Sequence, residues 1–164
     1  MRIERVWAMP NKWTFQIKPI AKLLKEEMNG GTWLDPFCGM SSPASIKNDI
    51  NPEIEADYHL DSIEFLNQFN DSEVDGVLFD PPYSNHQSIT MYEGRNQKKA
   101  TININIIARI VKPGGKCISF GWNSNGIGKS RGFKPQRILL VPHGGSHNDT
   151  IVTVERKINN VLLP

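Results

Sequence analysis

The sequence predicts an α/β domain in which a mostly parallel sheet is covered by helices on both faces and ends in an antiparallel hairpin. Two observations predict it. Strand-like apolar segments alternate with helix-like segments over the first two-thirds of the chain, as in parallel strands joined by helices. Near the end, two strand-like segments, 137–141 and 150–155, flank a Pro-His-Gly-Gly-Ser-His turn, which favours a hairpin.

The first half of the chain is expected to contain two clear helices and three short strands. Residues 1–16 look like an irregular or extended entry segment. A helix should begin near Pro19 and end at Gly30-Gly31, because apolar residues between them recur at helical spacing. A strand at 32–34 and a small-residue helix after Pro43 follow, and then brief strands at 46–50 and 57–60. Asp61, with Glu64 three positions later, predicts the start of the second clear helix.

The second half is expected to hold the remaining strands and one further helix. A strand runs into Asp80, and a polar stretch from Ser84 to Lys99 is predicted to be a long loop. Residues 102–111 have the pattern of a helix, closed by Lys112-Pro-Gly-Gly115, and 117–121 is the strand before the hairpin.

Length and composition indicate one globular domain. The chain has 164 residues, and we expect a single domain over 1–164. No apolar run approaches the ~18 residues needed to span a bilayer, and the first residues lack a signal-peptide core. Two cysteines, Cys38 and Cys117, suit a reducing compartment better than a disulfide scaffold. We therefore expect a soluble, cytoplasmic protein with no membrane partner.

The charges are distributed unevenly along the chain. Residues 1–93 carry 7 Lys/Arg against 15 Asp/Glu, whereas residues 94–148 carry 10 Lys/Arg and no acid. Such asymmetry suggests two different ligands, of which one is a polyanion. A basic helix face with solvated loops is the simpler alternative.

The segment Gly76-Val-Leu-Phe-Asp80-Pro-Pro-Tyr83 is the strongest candidate for a catalytic site. Its apolar run predicts a buried strand that the prolines end, so an acid and a ring are presented where open α/β sheets bind ligands. The Asp80 carboxylate and the Pro81 carbonyl can accept both N–H bonds of a planar amine and turn its lone pair toward an electrophile. Pro82 helps to fix that geometry, and Tyr83 can stack on a base.

Three further acids follow earlier strand-like segments. Asp35 lies in Trp33-Leu-Asp-Pro-Phe-Cys-Gly39, a turn after a strand that suits a cationic or amine-bearing ligand. Asp49 is placed to accept hydrogen bonds from a ribose diol, and Asp61 to reach an adenine amine. Each also has a simple structural alternative, namely an N-capping turn, a surface turn and a helix N-cap.

Asp35-Pro-Phe-Cys-Gly39 followed by Asp80-Pro-Pro-Tyr83 resembles the S-adenosylmethionine-dependent amino-methyltransferases of DNA, particularly the N6-adenine enzymes. The resemblance covers roughly residues 10–157. It implies a Rossmann-like class I methyltransferase fold with a mostly parallel seven-stranded sheet. It also implies direct transfer of a methyl group from S-adenosylmethionine to N6 of an adenine in DNA, flipped into the Asp-Pro-Pro-Tyr pocket, and a bacterial, phage or mobile-element origin.

The resemblance assigns roles to individual residues. The catalytic tip comprises Asp80, Pro81, Pro82 and Tyr83. The residues implied to bind the cofactor are Phe15 in an N-terminal cofactor segment, Asp35, Pro36, Phe37 and Gly39 around the methionyl group, Asp49 on the ribose and Asp61 on the adenine.

The basic half is expected to contact nucleic acid, with DNA as the first expectation and RNA as a possibility. The predicted contacts are Arg95, Lys98, Lys99, Trp122, Lys129, Arg131, Lys134 and Arg137. No target-recognition domain fits between the motifs, so the chain resembles a minimal catalytic domain. Specificity then falls to segments 84–99 and 122–137, or to a protein partner or second copy.

Two other patterns in the sequence are too incomplete to predict a site. Asn123-Ser-Asn-Gly-Ile-Gly-Lys-Ser130 nearly matches a phosphate-binding loop but lacks the first glycine. His143 and His147 lack a nearby cysteine or acid, so no metal site is predicted. Within the enzyme class, cytosine N4 and RNA adenine remain alternatives. From another class, the alternative is an inactive subunit that binds cofactor and nucleic acid.

Overall fold

The computed structural model describes residues 1–82 and 86–158, and the side chains of these residues except 86–97. The strands are β1 Arg2–Arg5, β2 Trp33–Asp35, β3 Ile46–Lys47, β4 Val74–Phe79, β5 Val111–Gly121, β6 Phe133–Val141 and β7 Thr150–Lys157. The helices are α1 Lys18–Glu27, α2 Ser62–Leu66 and α3 His86–Ile110, with short 3-10 turns at Thr14–Gln16 and Lys129–Arg131.

The strands form one seven-stranded sheet in the order β1-β6-β7-β5-β4-β2-β3. β7 lies between β5 and β6 and runs antiparallel to both, whereas the other neighbouring strands are parallel. The predicted mostly parallel sheet with an antiparallel hairpin at the C-terminal end is confirmed. The carboxyl ends of β2, β4, β5 and β6 therefore lie at one edge of the sheet, which we call the carboxyl edge.

Two apolar clusters form the core, one on each face of the sheet. On the face packed by α1, the helix side chains Ile20 and Leu23 are fully buried with Ile118 of β5 and Val154 of β7. On the other face, Phe65 of α2 and Ile107 of α3 join a cluster with residues of β2, β4 and β5. Burial of these side chains on both faces supplies most of the favourable free energy of folding.

The predicted loop from Ser84 to Lys99 is wrong over residues 86–99, because α3 begins at His86 and continues without a break to Ile110. The described apolar side chains of α3 that pack on the core lie between Ile102 and Ile110, the part that the sequence pattern predicts as a helix, whereas 86–99 is mostly polar in sequence. Residues 86–99 contain no proline and one glycine, and nothing in them prevents a helix.

Three other expectations need correction. The small-residue helix after Pro43 does not form, because Ser45 is held extended against β2 by its hydrogen bonds to the backbone of Trp33. The strand expected at 46–50 is only β3, and the one expected at 57–60 is a single bridge between Asn48 and Tyr58. The entry segment 1–16, expected to be irregular or extended, contains one strand, β1.

Among the described residues, no helix combines the length and the apolar character that crossing a membrane requires.

Candidate active site

A cavity of about 540 Å³ opens at the carboxyl edge, beside the ends of β2 and β4. It is lined by most of the residues that the sequence assigns to the cofactor and to the catalytic tip. These are Phe15, Pro36, Phe37, Gly39, Asp49, Asp61, Asp80, Pro81 and Pro82. Sequence-distant segments therefore meet at one site of a size suited to a small organic ligand.

Asp80 follows β4 directly and lies at the wall of this cavity. Burial disfavours its charged form and raises the pKa of the carboxyl to about 6, although a hydrogen bond from the Thr14 side chain favours the charge. A carboxylate with a pKa near 6 is ionised at neutral pH and can accept N–H bonds. Tyr83, the last residue of the predicted tip, lies outside the described residues.

Thr14 is one of the cavity residues that the sequence interpretation missed. It lines the cavity between Trp13 and Phe15, and its hydroxyl contacts the Asp80 carboxyl from a different part of the chain. The available signal was a polar hydroxyl between two aromatic residues in the N-terminal cofactor-like segment. Phe15 anchors this segment, because its ring packs edge-on against Phe120 with centroids 5.4 Å apart.

Asp35 is expected to contact the cofactor, but its side chain does not line the cavity. Its side chain is fully buried behind the cavity wall, where it accepts hydrogen bonds from the Phe37 amide (3.0 Å) and the Ser42 hydroxyl (2.6 Å). Burial raises the pKa of Asp35 to about 7; these two hydrogen bonds oppose the rise, and the negative charges of Asp80 and Asp49 add to it. Asp35 therefore shapes the turn after β2 from inside the protein.

Asp49 joins the turn after β2 to the loop after β3. One carboxylate oxygen accepts from the Gly39 amide at 3.0 Å, and the other accepts from the Asn51 amide at 2.9 Å. Gly39 has a φ of +49°, and a Cβ there would lie 3.1 Å from the Trp13 ring. The glycine thus permits a turn in which Trp13 packs over Gly39 and Asp49 faces the cavity.

Asp61 has two partners at the opposite side of the cavity. It caps α2 by accepting from the Ile63 amide at 3.0 Å, as predicted, and its other oxygen accepts a hydrogen bond from Lys99 of α3. Burial raises the pKa of Asp61, but the Lys99 and Ile63 hydrogen bonds outweigh burial, so the pKa lies below its usual value. Lys99, predicted to bind nucleic acid, therefore lies in the cavity wall, paired with an acid.

The other predicted nucleic-acid contacts lie in three places. Lys98 is exposed on α3, and the side chain of Arg95 lies outside the described part of the chain. Trp122 directly follows β5 at the carboxyl edge and is 51% exposed. The last group, Lys129, Arg131 and Lys134, lies near the start of β6, at the opposite edge of the sheet.

This last placement corrects the expected clamp beside the catalytic tip. β6 has nine residues, so Lys134 lies roughly 20 Å along the strand from the carboxyl edge. Arg131 is also tied to the protein, because it donates to Asn105 (2.7 Å) and to the Ile127 carbonyl (3.1 Å).

Arg137 is a second correction. Its side chain is only 7% exposed and donates hydrogen bonds to Glu4, Glu26 and Glu27. These carboxylates join β1 and α1 to β6, and they raise the pKa of the guanidinium against the effect of burial. Arg137 is therefore an internal structural cation.

The glycine-rich segment after β5 binds an internal carboxylate. The amides of Ile127 and Gly128 both donate to Glu155 of β7, which is 1% exposed. Gly126 has a φ of +56°, and a Cβ there would lie 2.2 Å from a Glu155 oxygen. Two amides that a phosphate-binding loop would offer to a phosphate are thus already bonded to Glu155. The sequence resembles a phosphate-binding loop because this loop binds an internal carboxylate through its backbone amides.

The two histidines near the hairpin do not form a metal site. His143 is buried, and its ring donates to the Ala8 carbonyl (2.9 Å) and accepts from Thr150 (2.8 Å). His147 is exposed in the turn. No group of three or more metal-ligating side chains occurs within residues 1–82 and 98–158.

Several solved structures are similar to this chain. TrmN from Thermus thermophilus is 20% identical, with a TM-score of 0.60, over 87% of this chain and 49% of that one. The 1,6-didemethyltoxoflavin-N1-methyltransferase of Burkholderia thailandensis, with bound 1,6-didemethyltoxoflavin and S-adenosylhomocysteine, is 12% identical (TM-score 0.56; 85% and 76% covered). The N-methyltransferase NodS from Bradyrhizobium japonicum WM9 is 11% identical (TM-score 0.56; 87% and 96% covered).

These similarities establish the fold. The chain has the Rossmann-like class I methyltransferase fold, and it spans about half the length of TrmN. No protein-family model matches the sequence, and no curated protein matches it.

Proposed function

We propose that this protein transfers a methyl group from S-adenosylmethionine to N6 of adenine in DNA. One observation carries the proposal. The cavity at the carboxyl edge combines the Asp80-Pro81-Pro82 tip with the acid and glycine of the two preceding turns, Asp49 and Gly39. A grip for an amine and a pocket for a nucleoside-like cofactor are therefore adjacent.

The cavity residues fit the cofactor. Asp49 and Asp80 line the wall without an ion pair to any described side chain, whereas Asp61 is neutralised by Lys99, so the site favours a cation such as a sulfonium. Lys12 also lines the cavity, with its Nζ 4.8 Å from the centroid of the Trp13 ring, and suits the carboxylate of the methionyl group. The bound cofactor supplies an electrophilic methyl group on its sulfonium.

Asp80 and Pro81 then act on the target amine. At neutral pH Asp80 is ionised, since its pKa is about 6, and it accepts one N–H bond of the amine. The Pro81 carbonyl accepts the other, so the lone pair of the nitrogen is turned out of conjugation with the ring. Because these acceptors are fixed before the base enters, little reorganisation is needed at the moment of reaction. Tyr83 stacks on the base in this proposal.

DNA is proposed as the substrate from the two paired motifs and from the basic second half of the chain. The contacts available beside the cavity are now fewer than the sequence suggested, with Lys98 and Trp122 as the described candidates. Fewer phosphate contacts imply weak binding with a shallow dependence on salt concentration.

The test is methyl transfer followed by identification of the product. The protein is incubated with labelled S-adenosylmethionine and either DNA or RNA, and the polymer is digested to nucleosides. We expect label in N6-methyl-2′-deoxyadenosine from DNA. Asp80→Ala should reduce the rate by about 10²- to 10³-fold or more, because it removes a preorganised acceptor, whereas Glu53→Ala, an exposed acid outside the cavity, should leave the rate unchanged.

The other outcomes discriminate the alternatives. Label in N4-methyl-2′-deoxycytidine, or label only in RNA, would show that the substrate differs from the one proposed while the reaction, methylation of an exocyclic amine, is the same. Absence of label from both polymers, with S-adenosylmethionine binding and an intact gel shift, would favour the inactive binding subunit. Equal rates for Asp80→Ala and the unmodified protein would refute the proposed catalytic tip.

A further inference from the structure

β1 is the edge strand of the sheet, and one side of its backbone has no strand beside it among the described residues. It pairs in parallel with β6, where Ile3 lies opposite Ile138. The ladder continues as Val6 N donates to Leu140 O (2.9 Å) and Ala8 N to Pro142 O (3.2 Å). Because strand residues alternate in direction, the N–H and C=O groups of Ile3 and Arg5 point away from β6.

β1 is short and charged, but two other protections against strand pairing, a proline and a bulge, are absent from this edge. Arg2–Arg5 contains no proline and no lysine, and its register with β6 shows no bulge. Ile3 is 61% exposed. It shares a sheet face with Ile138 and Leu140 of β6, which are only partly buried. No long helix covers this face from the β5–β6 connection, whose one helical element is the 3-10 turn Lys129–Arg131.

The charges of β1 select one partner and one register. In an antiparallel pair centred on Ile3, Arg2 lies opposite Glu4 of the second copy, and the same contact occurs twice by symmetry. Centring the pair on Arg2, Glu4 or Arg5 would instead place like charges directly opposite each other. The Arg2 side chain is 64% exposed, and it can exchange Glu4 of its own chain, which it contacts at 2.7 Å and which Arg137 also contacts, for Glu4 of the second copy.

The hydrogen-bond pattern agrees with this register independently. Since the polar groups of Ile3 and Arg5 point outward, Ile3 forms a hydrogen-bonded pair with Ile3 of the second copy, and Arg5 with Met1. Arg2 and Glu4 then fall in non-hydrogen-bonded pairs, where facing side chains approach most closely. The two Ile3 side chains also meet on the same face and extend the apolar strip of Ile138 and Leu140.

We propose that this protein forms a twofold dimer in which β1 pairs with β1 of a second copy, antiparallel and centred on Ile3. The two seven-stranded sheets become one continuous sheet. Because the paired strands run in opposite directions, the two cavities open at opposite ends of the dimer. Each copy therefore acts on its own ligand, and neither completes the site of the other.

The test measures association of the full chain by sedimentation equilibrium over a wide range of concentrations, without reference to activity. We expect a concentration-dependent monomer–dimer equilibrium. Ile3→Pro removes an outward N–H while leaving the hydrogen bonds to β6, and should raise the dissociation constant about tenfold or more. Arg2→Glu should do the same by placing like charges opposite each other. Hydrogen exchange should slow at Ile3 and Arg5 on dimerisation.

Matched controls separate this interface from any other. Ile3→Val keeps the N–H and a branched side chain, and Lys129→Glu reverses an exposed charge far from β1, so both should dimerise like the unmodified protein. Thermal unfolding of dilute Ile3→Pro reports whether the fold is retained. A chain that stays monomeric at every concentration, or a folded Ile3→Pro variant that dimerises normally, would overturn the proposal.

Discussion

Replacing Thr14 by valine tests whether the N-terminal segment tunes the catalytic carboxylate. Thr14 lies in the cavity and donates a hydrogen bond to Asp80, whose pKa burial has raised to about 6. Valine has nearly the same shape as threonine but cannot donate. The variant therefore removes one interaction that favours the charged form of Asp80, and burial is left unopposed.

The magnitude follows from the energy of such a bond. A hydrogen bond to a charged group contributes about 1.5–3 kcal/mol, and a pKa changes by one for each ~1.4 kcal/mol. Asp80 borders the open cavity and keeps some solvent contact, so partial compensation by water reduces the effect, and we expect its pKa to rise from about 6 to about 7. Well below pH 6 the ionised fraction then falls about tenfold, whereas above pH 8 it hardly changes.

The assay is a pH titration of the Asp80 carboxyl carbon by NMR, assigned with Asp80→Asn. It needs no substrate and does not depend on the proposed reaction. Thr14→Ser keeps the hydroxyl and should titrate like the unmodified protein. If methyl transfer occurs, the acidic limb of its pH–rate profile should move to higher pH by the same amount. An unchanged pKa in Thr14→Val, or an equal change in Thr14→Ser, would refute the reasoning.

Two further variants test the buried charges. Arg137→Met should lower the free energy of unfolding by about 2–4 kcal/mol in urea denaturation, because three carboxylates lose their shared cation, whereas Lys134→Met should have little effect. If Arg137→Met keeps normal stability but loses binding to a polyanion, Arg137 contacts nucleic acid and the structural role is refuted. Asp35 has a folded pKa of about 7, above its usual 3.8, so its protonation stabilises the fold at low pH and that contribution is lost as pH rises from about 4 to about 7. Asp35→Asn should not show this decline in the free energy of unfolding, and above pH 7 it should be more stable than the unmodified protein by up to about a few kcal/mol. Identical curves of stability against pH for the two proteins would contradict this prediction.

Local signals account for what the sequence predicts correctly. The β4 strand and its Asp80 tip are visible because an apolar run and two prolines are adjacent in the chain. The capping role of Asp61 is visible for the same reason, since its partner Ile63 is two residues away. Such features need no knowledge of distant contacts.

The features that the sequence does not predict depend on distant partners. Arg137 looks like one cation in a basic half because Glu4 and Glu26 lie 133 and 111 residues away. Thr14 gains its role only where the N-terminal segment meets β4. Three of the four residues of β1 are charged, so its strand state depends on β6 being present beside it. The first half of α3 carries no apolar stripe at all.

The position of β7 has a consequence for how the chain is made. β7 follows β6 in the sequence, yet it sits between β5 and β6, and among the described residues β1 pairs with β6 alone. During synthesis, β2, β3, β4 and β5 can assemble as they emerge from the ribosome. β1, however, joins the rest of the sheet only through β6 and β7, which lie more than 100 residues later in the sequence. β1 therefore reaches its native environment after strands that are made later.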